Sequence, residues 1–524
     1  MHSPGRFLAS ARLIALLTLT SRVLGLGREA VLGYFLGASA LLSAFRIAFM
    51  LPNLARRLFG EGALSSALIP ALSKDLHESD LDSSRQFVGN VLTLLVVILS
   101  AGVIATEAVI LVWRGFRPHL ILGVAAVLMP YMVLICTTAV LGGVLNVRNH
   151  FAAPAAVPII LNLGIIGAAF GGHAWFGFTG EQLIYTIAVG VLLAGVAQLL
   201  LVLAALKRVR FFPVFGRSWR DPRIKAIFAA MGPMILGLSA IQINSLADYL
   251  IAYFAIVTEE GRVGPAVLGF AQFLYQLPLG VFGIALATAI FPVLSARAAE
   301  DDHAGVREAL NRGIRASLVV ALPATVGLIF VARPLVVTLF ERGAFDASDT
   351  GRVVGTLVCY SLGLPAYFLH HLLVRTFYAL HENKTPARIA ARMVLINFAM
   401  NLALVFWLQE RGLALATAIC AMIQTLWLGV RLQRVLPGIS WRLILSGVSR
   451  IALATLVMTV CLGALVYAVQ AYPSLDGHAP ARLAVLVAGG VITYGLTARL
   501  LRIEELKMLL RRGSTFQEHS DLRG

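Results

Sequence analysis

Arg22, Arg28 and Glu29 stand inside the apolar stretch "LTSRVLGLGREAVLGYF" (19–35), where charge is least expected. Arginine there has one evident chemistry. Its planar, permanently charged donor fork binds the oxygens of a phosphate or carboxylate two at a time. A charged side chain at the centre of a membrane helix costs about 2.5–3.5 kcal/mol on insertion scales, so it must meet a cavity or a partner. Ser21 and Arg28 share one helix face, as do Arg22 and Glu29, because each pair is seven residues apart. Gly25 and Gly27 can bend the helix between them and turn both faces toward one space. In the next apolar stretch Arg46 lies upstream of Pro52, which must disturb the helix near Asn53, Arg56 and Arg57, with Glu61 a turn further on. Carboxylates inside apolar stretches are few: Glu29, Glu61, Glu107 and Asp248. The excess of positive charge has two readings, a set of Arg–Glu pairs that holds helices together or a cavity for an anion, phosphate above all.

The residue sets that bond-making would require are missing. There is no HExxH, Walker loop or GxSxG. His370 and His371 are adjacent, so their rings point from different helix faces and make a poor metal site. "GLGREAVLG" follows no strand and is no dinucleotide loop. Cys136, Cys359, Cys420 and Cys461 form no CxxC pair and read as small packing residues. The expectation is a transporter, not an enzyme, with no cofactor beyond a coupling ion.

The elements that position these charges follow from composition. Of 524 residues 59% are hydrophobic and 13% charged. A soluble chain of this length could not cover so much apolar surface, so the class is an all-α polytopic membrane protein. With about 20 apolar residues per crossing, about fourteen spans are expected, at 8–36, 40–72, 87–112, 120–145, 155–172, 183–206, 226–256, 265–295, 314–332, 353–379, 388–408, 412–432, 443–470 and 482–501. The first is too long and too charged for a cleaved signal and stays as the first helix. Loops after even-numbered spans and the termini hold 27 Lys/Arg against 8 in the other loops, which places both termini in the cytoplasm. The net charge of +17 is largely this asymmetry, spread over short loops, and not a nucleic-acid surface. Of the eight Lys/Arg left inside spans, five lie in the first two.

The chain also repeats itself. "SALIPALS" (66–73) recurs as "TAIFPVLS" (288–295), and "LPNLARRLFGEGAL" (51–64) as "LPLGVFGIAL" (277–286). "LNVRNHFAAP" (145–154) is echoed by "FYALHENKTP" (377–386). These echoes imply two parallel six-helix lobes, 1–206 and 226–436, joined by a basic amphipathic linker at 207–225. Two further helices (437–502) and a cytoplasmic tail (503–524) complete the chain.

"SRVLGLGREA", "LPNLARRLFGEGALSSALIPALS", "YQLPLGVFGIALATAIFPVLS" and "FYALHENKTP" resemble the MurJ/MviN lipid II flippases of the MOP exporter superfamily. The resemblance runs along most of the chain. It implies a flippase that carries a lipid-linked peptidoglycan precursor, undecaprenyl-pyrophosphate disaccharide pentapeptide, from the inner to the outer leaflet by alternating access. The last two helices would form a groove for the lipid tail. The family's functional positions fall on Ser21, Arg22, Arg28, Glu29 (where Asp is usual) and Arg56. With Arg46, Asn53, Glu61 and Gln276 these make the expected substrate-binding set. Some members hold sodium in the second lobe, and oxygen ligands of that kind recur at Asp248, Asn397, Asn401 and Thr417. Two departures stand out: Ser43 where an acid is usual, and Phe273 where an arginine is usual, with Gln276 where an acid can stand. The alternative they leave open is a paralogue that exports another polyprenyl-linked oligosaccharide, or small drugs. The implied location is the inner membrane, and the expected state a monomer among lipids.

Overall fold

The computed structural model describes residues 4–60, 63–78, 80–116, 119–216, 221–259, 261–471 and 478–506. Among them there is no strand beyond an isolated bridge between Thr258 and Gly261. The described residues form seventeen α-helices, and the chain divides into two compact units.

The first unit is Met1–Tyr253, Val257–Ala266 and Arg342–Phe345. It holds α1 (Pro4–Leu36), α2 (Ala40–Ala55), α3 (Ala63–Glu78), α4 (Leu81–Phe116), α5 (Leu120–Val147), α6 (Ala152–Phe176), α7 (Gly180–Arg208) and nearly all of α8 (Pro222–Ala255). Its tightest crossing is α6 on α7, where small residues interleave. A Cβ on Gly164 would stand 2.6 Å from Ala194 Cβ, and one on Gly190 would stand 2.3 Å from Ala168 Cβ. Helices surrounded by lipid gain little from hydrophobic burial against each other, so close backbone approach through small residues holds them together. The stretch expected at 155–172 is the middle of α6, which at 25 residues is long enough to cross a bilayer.

The second unit is Phe254–Ile256, Val267–Glu341 and Asp346–Gly524. It contains most of α9 (Gly264–Pro278), then α10 (Ile284–Ala299), α11 (His303–Leu339), α12 (Ala347–Ser361), α13 (Leu364–Ala379), α14 (Lys384–Leu408), α15 (Glu410–Val435), α16 (Trp441–Ala471) and α17 (Ala479–Leu500). Its core runs through α10, α11, α13, α15, α16 and α17. Tyr494 Oη donates to Val319 O at 2.8 Å, tying α17 to α11 in a buried setting. Buried Glu410 pairs with Arg352.

Among the described residues ten helices are long and apolar enough to cross a membrane, and α12 with α13, bent by 44°, make an eleventh. The other expected spans, 8–36, 40–72 and 226–256, are helical along their described residues but fall outside that set. The second of these is interrupted after Pro52 by the π-helical turn at Arg56–Gly60. Among the described residues the apolar spans thus number ten or eleven, and the fourteen expected along the whole chain are not all accounted for.

Each unit repeats a local device of the other. Pro52 precedes a π-helical turn at Arg56–Gly60, and Pro278 precedes one at Leu279–Gly283. Proline removes a backbone donor from the helix ladder, and a wider turn reroutes the remaining bonds. The helix that follows in each case carries a second proline in its interior, Pro70 in α3 and Pro292 in α10. The echo at 145–154 and 377–386 is also structural. Asn149 (φ 59°) and His381 (φ 58°) take the left-handed conformation that ends a helix. The bonds closing the two turns match, His150 N to Leu145 O at 2.8 Å and Glu382 N to Phe377 O at 2.9 Å.

The basic linker is shorter than its sequence suggested. α7 absorbs Lys207 and Arg208, and α8 begins at Pro222. Between them residues 211–216 run without helix. Val214 N donates to Arg85 O at 3.1 Å, and Gly89 lets this segment pass, since a Cβ there would lie 1.9 Å from Val214 O. Arg223 then locks the start of α8 to α3 through Asp75 Oδ1 at 2.6 Å, while Asp221 Oδ2, just before the helix, holds the same guanidinium at 2.7 Å.

Candidate anion-binding site in the first unit

α1 places Ser21, Arg22, Arg28 and Glu29 in its well-packed second half. Glu29 is buried, and its carboxylate is shared. Oε1 receives Arg28 Nη2 and Oε2 receives Arg46 Nη2, both at 2.7 Å. Arg28 spends its other terminal nitrogen on Asn162 Oδ1 at 3.0 Å, and Asn162 Nδ2 donates to Ser21 O at 3.1 Å. Tyr249 of α8 hydrogen-bonds Arg46 at the far end of the chain of contacts. One network thus runs through α1, α2, α6 and α8, and Ser21 enters it by its backbone oxygen. The two bonds to the Glu29 carboxylate are short, and in a poorly solvated setting such bonds are strong.

Arg22 differs from its neighbours. It is half-buried, one turn before the network, and among the described residues no carboxylate or amide pairs with it. Arg56 opens the π-helical turn after α2, where its Nε and Nη2 grip Asn53 Oδ1 at 3.2 and 2.9 Å. The adjacent Arg57 reaches Gln242 Oε1 at 3.1 Å. Glu61 lies outside the described residues. Between residues 20 and 60 the chain thus carries five arginines, Arg22, Arg28, Arg46, Arg56 and Arg57, against one carboxylate, Glu29. Arg28 and Arg46 are paired through Glu29, while Arg22 has no such partner among the described residues.

The remaining expected residues fall elsewhere. Gln276 is exposed on α9 in the second unit, as is half-buried Phe273. Ser43 is fully buried and accepts a hydrogen bond from Ala266 N at 3.1 Å, so it caps the start of α9. Of the four oxygen ligands anticipated for a cation, Asp248 belongs to the first unit and the other three to the second. Asn401 Nδ2 donates to Asn397 Oδ1 at 2.9 Å within α14, and Thr417 Oγ1 donates to Leu413 O at 3.0 Å within α15. Among the described residues no three His, Cys, Asp or Glu side chains gather as a metal would require.

Two members of the network were missed in the sequence, Asn162 and Tyr249. Asn162 had a signal, since it is a lone amide in the apolar run "VPIILNLGII". Tyr249, next to Asp248, had none.

Against known proteins, the family model described as Lipid II flippase MurJ matches residues 32–475. A probable lipid II flippase MurJ of Rhizobium tropici is 34% identical over 437 residues, 80% of this chain and 79% of that protein. The probable lipid II flippase MurJ of Vibrio cholerae is 31% identical over 529 residues, 96% of this chain and 98% of that one. Among solved structures, a lipid II flippase MurJ in an inward closed conformation superposes with a TM-score of 0.76 at 25% identity, covering 95% of this chain and all of that one. An inward-facing multidrug-resistance MATE transporter of the MOP superfamily shares the fold at a TM-score of 0.60 and 18% identity. With a family match from 32 to 475 and relatives above 30% identity along most of both chains, this integral membrane protein belongs to the lipid II flippase MurJ family.

Proposed function

We propose that this protein is a transporter that moves lipid II from the inner to the outer leaflet of the cytoplasmic membrane by alternating access, with both termini in the cytoplasm. The observation that carries the reading is Arg22, a half-buried arginine on a membrane helix with no pairing group among the described residues, beside the Arg28–Glu29–Arg46 network. Such a cation is costly unless an anion visits it, and the diphosphate of a lipid-linked sugar supplies two phosphates for guanidinium forks to bind. Arg28 and Arg56 complete the grip, with Asn53 orienting Arg56. The test is complementation of a strain depleted of its own flippase. Rescue by the wild-type chain supports lipid II as substrate, and failure despite normal membrane levels removes it.

The departures at Ser43 and Phe273 favour a second reading, export of another polyprenyl-linked glycan carrying the same diphosphate. Failure of complementation together with binding of undecaprenyl diphosphate would select it. Sodium coupling is the remaining part of the proposal. The buried amide oxygens of Asn397 and Asn401 and the half-buried hydroxyl of Thr417 suit a hard cation. Transport in sodium compared with choline, with Asn401→Ala as control, decides it.

A further inference from the structure

The carboxylate of Glu29 has two oxygens and gives one to each of two arginines. A single Arg–Glu pair is neutral and, in a site largely sealed from water, has little attraction left for a third ion. Two arginines on one carboxylate keep a net positive charge. The exposures say where that charge is available: 22% of the Arg28 side chain is accessible, 14% of Arg46 and 5% of Glu29. Arg28 is also the oriented one, since Asn162 fixes its Nη1 at 3.0 Å. Arg46 is tied down at the inner end, with Glu29 on one side and Tyr249 on another.

From this geometry we propose that Arg46 is a positioning residue: by occupying Glu29 Oε2 it prevents Glu29 from closing on Arg28 with both oxygens, and so keeps Arg28 available to a phosphate-bearing ligand. The inference rests on the proposed lipid-diphosphate substrate and adds to it that Arg46 acts through Glu29 without touching the ligand. If Arg46 is removed, the second oxygen of Glu29 turns to Arg28, and a bidentate pair neutralises it. Removing the charge of Glu29 as well makes Arg46 dispensable.

The experiment measures binding of undecaprenyl diphosphate to the full-length protein in detergent, for wild type, Arg46→Ala, Arg46→Lys, Glu29→Gln and the double variant Arg46→Ala/Glu29→Gln. Thermal unfolding is recorded on each sample. Arg46→Ala should weaken binding about tenfold or more, the scale of one lost charge-assisted hydrogen bond. The double variant should return to within about threefold of wild type, and Arg46→Lys should stay near it. A purely structural role for Arg46 predicts no rescue, because the double variant loses still more contacts. A double variant as weak as Arg46→Ala overturns the inference, as does wild-type binding by Arg46→Ala. If Arg46→Ala does not accumulate, Arg46→Gln serves with the same expectations. If the wild-type protein binds no lipid diphosphate, the substrate reading falls and this inference with it; if wild type binds and the rescue fails, only the inference falls.

Discussion

Asn162 and Arg28 lie 134 residues apart and meet at 3.0 Å, with the same amide reaching back to Ser21 O at 3.1 Å. α6 thereby fixes α1 at both ends of the segment that carries the charges. Both terminal nitrogens of Arg28 are engaged, Nη1 by Asn162 and Nη2 by Glu29, and its plane is set.

Asn162→Ala should release Arg28 from that orientation and leave Ser21 O without its donor. Loss of a buried hydrogen bond to a charged group costs about 1.5–3 kcal/mol, so activity in a complementation assay should fall tenfold or more by about the same conversion. Asn162→Asp should be worse for function, since it places a second carboxylate on Arg28. Growth at wild-type rate with Asn162→Asp would contradict this.

The α6–α7 crossing tolerates no added bulk at its centre. Gly190→Leu should lower the melting temperature of the purified protein sharply, because even a Cβ would stand 2.9 Å from Gly164 O. Gly167→Ala, one helix turn from Gly164 on the same helix, meets nothing within 4 Å and should leave stability unchanged or raise it by up to about 1 kcal/mol through helix propensity. A scanning fluorimetry series separates the two outcomes.

Acid should loosen the corner where the linker enters α8. Hydrogen bonds from the Arg223 side chain hold the Asp221 carboxyl below its ordinary value of 3.8, outweighing the opposing effect of burial. A depressed carboxylate contributes stability above its unfolded value and loses it as pH falls through the folded one. Stability from this corner should therefore be constant above about pH 5 and decline below 3.8. Asp221→Asn should flatten that decline in a pH series of melting curves. An unchanged slope would show that Asp221 contributes nothing to it.

Much of this was legible in the sequence, for reasons that differ by residue. Arg22, Arg28 and Glu29 stood out because charge in an apolar helix is costly wherever the helix packs. The helices themselves followed from apolar run length, and the repeat from "SALIPALS" and "TAIFPVLS". What the sequence hid is long-range pairing. Nothing local to Arg46 says that its guanidinium takes the second oxygen of a glutamate 17 residues earlier, on another helix. Spacing put Arg22 and Glu29 on one face, yet Glu29 bonds to Arg28 beside it, because a long arginine side chain can curl to a neighbour once the pair is dry. Ser43 gave no hint of its role either, since its capping bond to Ala266 N spans 223 residues.

The central claim is that an unpaired cation on α1 grips the substrate, and Arg22→Ala tests it most directly. No pairing group among the described residues is lost with Arg22, so the protein should fold and insert as wild type does. The measurement is the amount of lipid II exposed on the outer leaflet in cells depleted of their own flippase and supplied with either protein at equal membrane level. Wild type should restore outer-leaflet lipid II, and Arg22→Ala should leave it near the depleted baseline. Full restoration by Arg22→Ala would contradict the account.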